Sequence, residues 1–173
     1  RDPSHSDARF NLGLTYLRLR SPEDAVREFT GVLVQHPMLA EAFYQRGNGN
    51  DDLGQTERAL ADYGRAIELD PNIASTYVNR GAINAAAGNL NSAVEDYGAA
   101  ISVNPNYLDA YINRRSAYDG LGLFIDAVHD YDSALLLAAD SPTLYINRGA
   151  SYYSQGEVQQ ALADFGKAVS LDP

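Results

Sequence analysis

Apolar and small side chains recur along this chain at fixed places, and the places repeat every 34 residues. Counted from Ser6, Ala40, Ala74, Leu108 and Pro142, five segments align with no insertion or deletion. Within a segment these residues fall three and four apart in two runs, over about the first fourteen places and from about the seventeenth to the thirtieth. Such spacing gives a helix one buried stripe. In the second segment, Phe43 and Gly47 share a face of the first run, and Ala59, Tyr63 and Ala66 form the facing stripe of the second. Helices this short are marginal alone in water, so packing on neighbours must supply their stability. A fixed period of this length marks a stacked solenoid with a continuous core between consecutive units. The pattern therefore predicts an all-α chain of helix pairs.

The ends of the runs carry helix punctuation. Ser21-Pro22-Glu23-Asp24 offers a hydroxyl cap, a proline for the first turn and acids near the positive end of the helix dipole, and Ser141-Pro142 repeats the motif. Gly54, Gly88, Gly122 and Gly156 follow the first run, where a left-handed stop is expected.

The eighth place holds Gly13, Gly47, Gly81, Arg115 and Gly149, and the twentieth Ala25, Ala59, Ala93, Ala127 and Ala161. The twenty-fourth is aromatic (Phe29, Tyr63, Tyr97, Tyr131, Phe165), and the thirty-second is Pro37, Pro71, Pro105, Ala139 and Pro173. Small, alanine, aromatic and proline places in this order resemble the tetratricopeptide repeat over residues 6–173. The resemblance implies a right-handed superhelix (α-solenoid) of antiparallel helix pairs. It implies one solenoid domain over 1–173, with repeats 6–39, 40–73, 74–107, 108–141 and 142–173. Arg115, Ala139, and Asn50 and Asn84 at the otherwise tyrosine-bearing eleventh place depart from the family pattern. Of 17 Phe and Tyr residues, 12 sit at its core places, which favours packing over a stacking platform for bases or sugars.

Charge and composition narrow the function. The net charge of −10 disfavours nucleic acid as a partner. No apolar run reaches a membrane span. With no cysteine and three dispersed histidines, neither a metal site nor a cofactor site is expected. No nucleophile–base pair or phosphate loop emerges, so the expectation is a non-enzymatic chain. The compartment stays open, with the cytoplasm favoured. Met38 is the only methionine, and Asp2-Pro3 stands in register with His36-Pro37, so a fragment of a longer protein is expected.

A charge pattern follows the period. The seventh place is Leu12 and then Arg46, Arg80, Arg114 and Arg148; the twenty-third is Glu28 and then Asp62, Asp96, Asp130 and Asp164. An arginine at a place that is usually buried in the resembled family needs a partner, and the aspartate tracks it copy for copy. The expectation is a two-pronged ion pair that braces each repeat or joins adjacent ones. The alternative is an arginine row that reads carboxylates.

In the resembled family the first helices line a concave groove. At the sixth place stand Asn11, Gln45, Asn79, Asn113 and Asn147, similar to the amide ladder by which some members grip an extended peptide. A carboxamide can bond both the C=O and N–H of a peptide unit. Equally, such residues can bond only water or their own helix. The fifth place is apolar: Phe10, Tyr44, Val78, Ile112 and Ile146. Bordering acids include Asp51, Asp52 and Asp119, against one base, Arg18. These features predict a module that binds a basic, apolar peptide segment of a protein partner. A self-associating scaffold, and so a homo-oligomer, or a recruiting arm of a larger enzyme are the alternatives. A clamp for acidic chaperone tails is excluded, because the lysine it needs at the fifth place is Phe10, Tyr44 or Val78.

Overall fold

The computed structural model describes residues 3–172. Among these residues it contains ten α-helices and no strand. The helices are α1 (Pro3–Arg18), α2 (Pro22–Gln35), α3 (Ala40–Asp52), α4 (Thr56–Leu69), α5 (Ala74–Ala86), α6 (Leu90–Val103), α7 (Leu108–Leu121), α8 (Phe124–Leu137), α9 (Pro142–Ser154) and α10 (Val158–Leu171). Each 34-residue segment holds two of them, as the periodicity predicts. The chain divides within α5 into two compact units, Arg1–Ile83 and Asn84–Pro173.

In the first unit, Val32 and Leu33 of α2 pack on Ala42 of α3, with Phe10 and Phe43 alongside. Phe10 meets Phe29 edge to face, with ring centroids 5.5 Å apart. A second cluster joins Ala59 and Tyr63 of α4 to Ile83, with Tyr44 against it. The eighth-place glycine decides how close these rings come. A Cβ on Gly47 would lie 2.6 Å from the Tyr63 ring, so only glycine lets the aromatic rest on the backbone of α3.

In the second unit, Tyr131, Ala134 and Leu135 of α8 pack on Leu144 of α9, with Tyr111, Ile112 and Tyr145 around them. Here the eighth place is Arg115. Its guanidinium lies over the Tyr131 ring, 4.8 Å from the centroid. The arginine is thus accommodated as a cation stacked on the aromatic face.

The turn after each first helix is the same in all five repeats. Gly54, Gly88, Gly122 and Gly156 have φ of +68°, +80°, +74° and +80°. The N–H of the next residue reaches back to the eleventh-place carbonyl, as from Gln55 to Asn50 at 2.8 Å. In the first repeat the left-handed residue is Arg20, with φ 58°. The expected serine caps are corrected: Ser21 and Ser141 stand at N-cap positions with proline following, but neither side chain makes a capping hydrogen bond. Both turns instead use the N-cap carbonyl, which accepts from Ala25 and Tyr145.

Candidate functional site

The pairs made by Arg46, Arg114 and Arg148 are two-pronged. Arg46 donates from Nε and Nη2 to the two carboxylate oxygens of Asp62, at 2.9 and 2.6 Å. Arg114 does the same to Asp130, at 2.9 and 2.6 Å, and Arg148 to Asp164, at 2.8 and 2.7 Å. The aspartates are buried and the arginines half-buried. Hydrogen bonding to Asp130 raises the Arg114 pKa, and bonding to Asp164 raises that of Arg148. The third guanidinium nitrogen reaches the preceding pair: Nη1 of Arg148 donates to Asp132 at 2.6 Å, and Nη1 of Arg46 to Thr30 Oγ1 at 3.4 Å. One side chain thus braces its own repeat and ties it to the one before. Arg80 lies over the Tyr77 ring, and Asp96 accepts from Asn84 Nδ2 at 3.0 Å.

On the first-helix side of the first unit, the predicted amides join a network centred on Asn48. Asn79 Nδ2 donates to Asn48 Oδ1 at 2.8 Å, and Tyr63 Oη donates to the same oxygen at 2.9 Å. Asn48 Nδ2 donates to Gln45 Oε1 at 3.1 Å, and Gln45 Nε2 donates to Glu41 Oε1 at 2.7 Å. Burial pushes the Tyr63 phenol well above its usual range, so it stays a donor. Asn48 stood outside the predicted site; its ninth place on a groove-lining helix was the available signal. Asn11 is exposed on α1. Asp51 and Asp52 are exposed at the end of α3; partial desolvation and the neighbouring Asp52 charge raise the Asp51 pKa.

Phe10 also lines a cleft of about 380 Å³ between α1, the end of α2 and the start of α3. Val32 and Leu39 form its apolar wall, and Asp7, Glu41 and His36 stand on its border. Tyr44 is half-buried against Tyr63, with centroids 6.2 Å apart. Val78 is buried.

In the second unit, Asn113, Asn147 and Ile112 are half-buried and Ile146 is exposed. Asn147 shares a cleft of about 180 Å³ with Arg115, Asp119, Tyr131 and Ser151. Arg115 Nη1 donates to Asp119 at 3.2 Å, and Ser151 Oγ approaches its other oxygen at 3.4 Å. Asp119, predicted to select positive charge, therefore already shares its charge with Arg115. The Nε of Arg115 is buried with no hydrogen-bond partner.

Models of the tetratricopeptide repeat match residues 52–88, 74–107 and 142–173, together just over half of the chain. The chain belongs to the tetratricopeptide repeat family. A search of curated proteins finds no match. Among solved structures, a crystal structure of MamA is 24% identical with a TM-score of 0.85, covering 92% of this chain and 94% of that one. MamA 41-end from Desulfovibrio magneticus RS-1 is 22% identical, with a TM-score of 0.85 and coverage of 96% and 94%. YrrB, described as a TPR protein with an unusual peptide-binding site, is 16% identical, with a TM-score of 0.82 and coverage of 95% and 85%. At these identities the likeness establishes a tetratricopeptide solenoid fold. Among the described residues no helix is long and apolar enough to cross a membrane.

Proposed function

We propose that this tetratricopeptide repeat chain is a protein-interaction scaffold that holds an apolar, basic peptide segment on the first-helix faces of its units. The observation that carries the reading is the Phe10 cleft, where an apolar floor meets two acids, Asp7 and Glu41, at one border. An apolar anchor fits the floor, and a Lys or Arg beside it meets the acids. The Asn48 network holds Gln45 and Asn79 in fixed orientations, so their remaining amide groups are preorganised to meet a peptide backbone. Phe10 and Tyr44 in the first unit, and Ile112 and Ile146 in the second, seat side chains. Asn11 in the first unit, and Asn113 and Asn147 in the second, offer further amides, and Asp51 and Asp52 add negative charge to the first.

Fluorescently labelled peptides alternating Leu with Lys, and matched peptides alternating Leu with Glu, test the reading. The Lys peptide is expected to bind and the Glu peptide to fail. Asp7→Asn with Glu41→Gln should weaken the Lys peptide about tenfold. Asn79→Ala and Asn113→Ala should each weaken the Lys peptide through lost backbone contacts. Equal binding of the Lys and Glu peptides, or no effect of the acid substitutions, would sink it.

A further inference from the structure

A cleft of about 360 Å³ lies where α2, α3 and α4 of the first unit meet, and it shares no residue with the Phe10 cleft. Thr30 of α2, Arg46 and Asn50 of α3, and Arg58 and Asp62 of α4 line it. Asp62 is the one acid among the lining residues, and its oxygens already accept from Arg46 Nε, Arg46 Nη2 and Asn50 Nδ2. Arg58 is exposed, and its Nη1 donates to the neutral Gln55 Oε1 at 2.6 Å. With Asp62 spent on Arg46, the charge of Arg58 is left over, so the lining carries a net positive charge in a chain whose own net charge is −10.

The molecule itself shows what a seventh-place arginine does with its remaining nitrogen. Arg148 Nη1 reaches the twenty-fifth place of the preceding second helix and donates to the Asp132 carboxylate at 2.6 Å. Arg114 Nη1 lies over the same place, Gly98, 3.5 Å from where a Cβ would stand. At Arg46 that place is Thr30, whose hydroxyl stands at the outer limit of a hydrogen bond, 3.4 Å away. Arg46 Nη1 is thus turned toward the spot that an acid occupies beside Arg148. Arg58 sharpens the contrast, because the nineteenth place is arginine only here; it is Asp24, Ser92, Asp126 and Gln160 in the other repeats. A second unmet group stands in the same cleft. Asn50 is 3% exposed, its Nδ2 is fixed on Asp62, and its Oδ1 is buried with no hydrogen-bond partner. A buried carbonyl oxygen without a donor is costly.

We infer that this cleft is a binding site for a small hydroxy- or amido-carboxylic acid. The ligand's carboxylate takes the place that Asp132 holds beside Arg148, bonded by Arg46 Nη1, Arg58 and the Thr30 hydroxyl. An O–H or N–H next to the carboxylate supplies the donor that Asn50 Oδ1 lacks. Charge-assisted bonds from two guanidinium groups provide the affinity, and the Asn50 oxygen provides the selection. The site uses residues apart from the Phe10 cleft and stands independently of the peptide reading.

Backbone-amide chemical shifts of the whole chain, titrated at low ionic strength with L-lactate and with propionate, test this. Both acids should give saturable shifts at Thr30, Asn50 and Arg58. Lactate should bind several-fold tighter, because propionate lacks the hydroxyl that meets Asn50. Arg58→Gln should weaken both about tenfold. Thr30→Asp supplies the carboxylate from within, as Asp132 does for Arg148, so it should abolish binding of both acids while keeping or raising Tm. Comparing the Lys and Glu peptides in the Thr30→Asp background reads the first-helix faces without this cleft, so failure of one reading leaves the other standing. No saturable shift with either acid, propionate bound as tightly as lactate, inorganic phosphate bound more tightly than lactate, or an Arg58→Gln or Thr30→Asp protein that binds like wild type would each overturn the inference.

Discussion

Asn50 Nδ2 donates to Asp62 Oδ2 at 2.8 Å, on the carboxylate that Arg46 already clamps. Asn84 makes the equivalent bond to Asp96 at 3.0 Å. Where the eleventh place is tyrosine, the ring serves the arginine instead: Arg114 lies 5.7 Å from the Tyr118 centroid and Arg148 5.8 Å from that of Tyr152. Both departures from tyrosine thus support the aspartate directly, and at Asp62 this means supporting the ion pair from the acid's side. Asn50→Ala removes a buried, charge-assisted hydrogen bond and should cost about 1.5–3 kcal/mol in urea unfolding. A midpoint unchanged from wild type would show that Asp62 needs only Arg46.

The pair itself lies between the exposed and the fully buried cases. Asp130 is buried, while the Arg114 side chain keeps 22% of its surface. Arg114→Ala should therefore cost about 2–4 kcal/mol, short of the largest buried-pair losses and well above a surface pair. Arg114→Lys should recover less than half of this, because an ammonium cannot reproduce the parallel two-pronged geometry. Full recovery by lysine would reduce the pair to a point-charge contact.

Arg20 occupies the left-handed position that glycine fills in the other four repeats. A side chain there costs about 1–2 kcal/mol of backbone energy, and replacing it by glycine also raises the entropy of the unfolded chain. The balance favours Arg20→Gly, which should stabilise by about 0.5–1 kcal/mol and raise Tm by a few degrees. A fall in Tm would mean that the Arg20 side chain makes a contribution larger than its strain.

Two glycines in the first unit should respond in opposite directions. A Cβ on Gly47 would meet the Tyr63 ring at 2.6 Å, whereas one on Gly64 would meet nothing within 4 Å. Gly64→Ala should gain about 1 kcal/mol from helix propensity alone. Gly47→Ala gains the same propensity but must displace a fully buried ring, with an expected net loss of about 1–3 kcal/mol. Calorimetry showing both changes on the same side of wild type would contradict this account of the eighth place.

Much of this architecture could be read from spacing, for a physical reason. Helix period, the left-handed glycines and the arginine–aspartate register are set within or between adjacent helices, where sequence offset fixes direction. The bounds of α4, Thr56–Leu69, agree with the run predicted from the period. The Asn48 network was not legible, because its partners Tyr63 and Asn79 come from helices 15 and 31 residues away. Its amides looked like separate rungs of a ladder, yet they bond first to one another. Arg115 read as a break in packing because spacing does not reveal that a guanidinium can lie flat on Tyr131. The serine caps failed at the level of side-chain rotamer, which composition does not determine. The occupant of the first-helix faces is set by another molecule's chemistry, and only its class can be argued from acids beside apolar floors.

Tyr131 gives the second unit a specific response to alkali. Burial pushes its phenol up to about 12, against the pull of the Arg115 charge stacked on the ring. An unfolded tyrosine ionises near 10. The folded value is the higher, so the stabilising difference is complete below pH 10 and disappears as pH rises through 12. Two pH units correspond to about 2–3 kcal/mol for a group this buried. Tyr131→Phe cannot ionise, so its stability should fall less steeply than wild type between pH 10 and 12. Unfolding in urea at half-unit pH steps measures the two slopes. The remaining slope in the variant would come from Tyr63, Tyr97, Tyr118 and Tyr152, whose phenols burial also raises, and identical slopes would show that Tyr131 does not control alkaline stability.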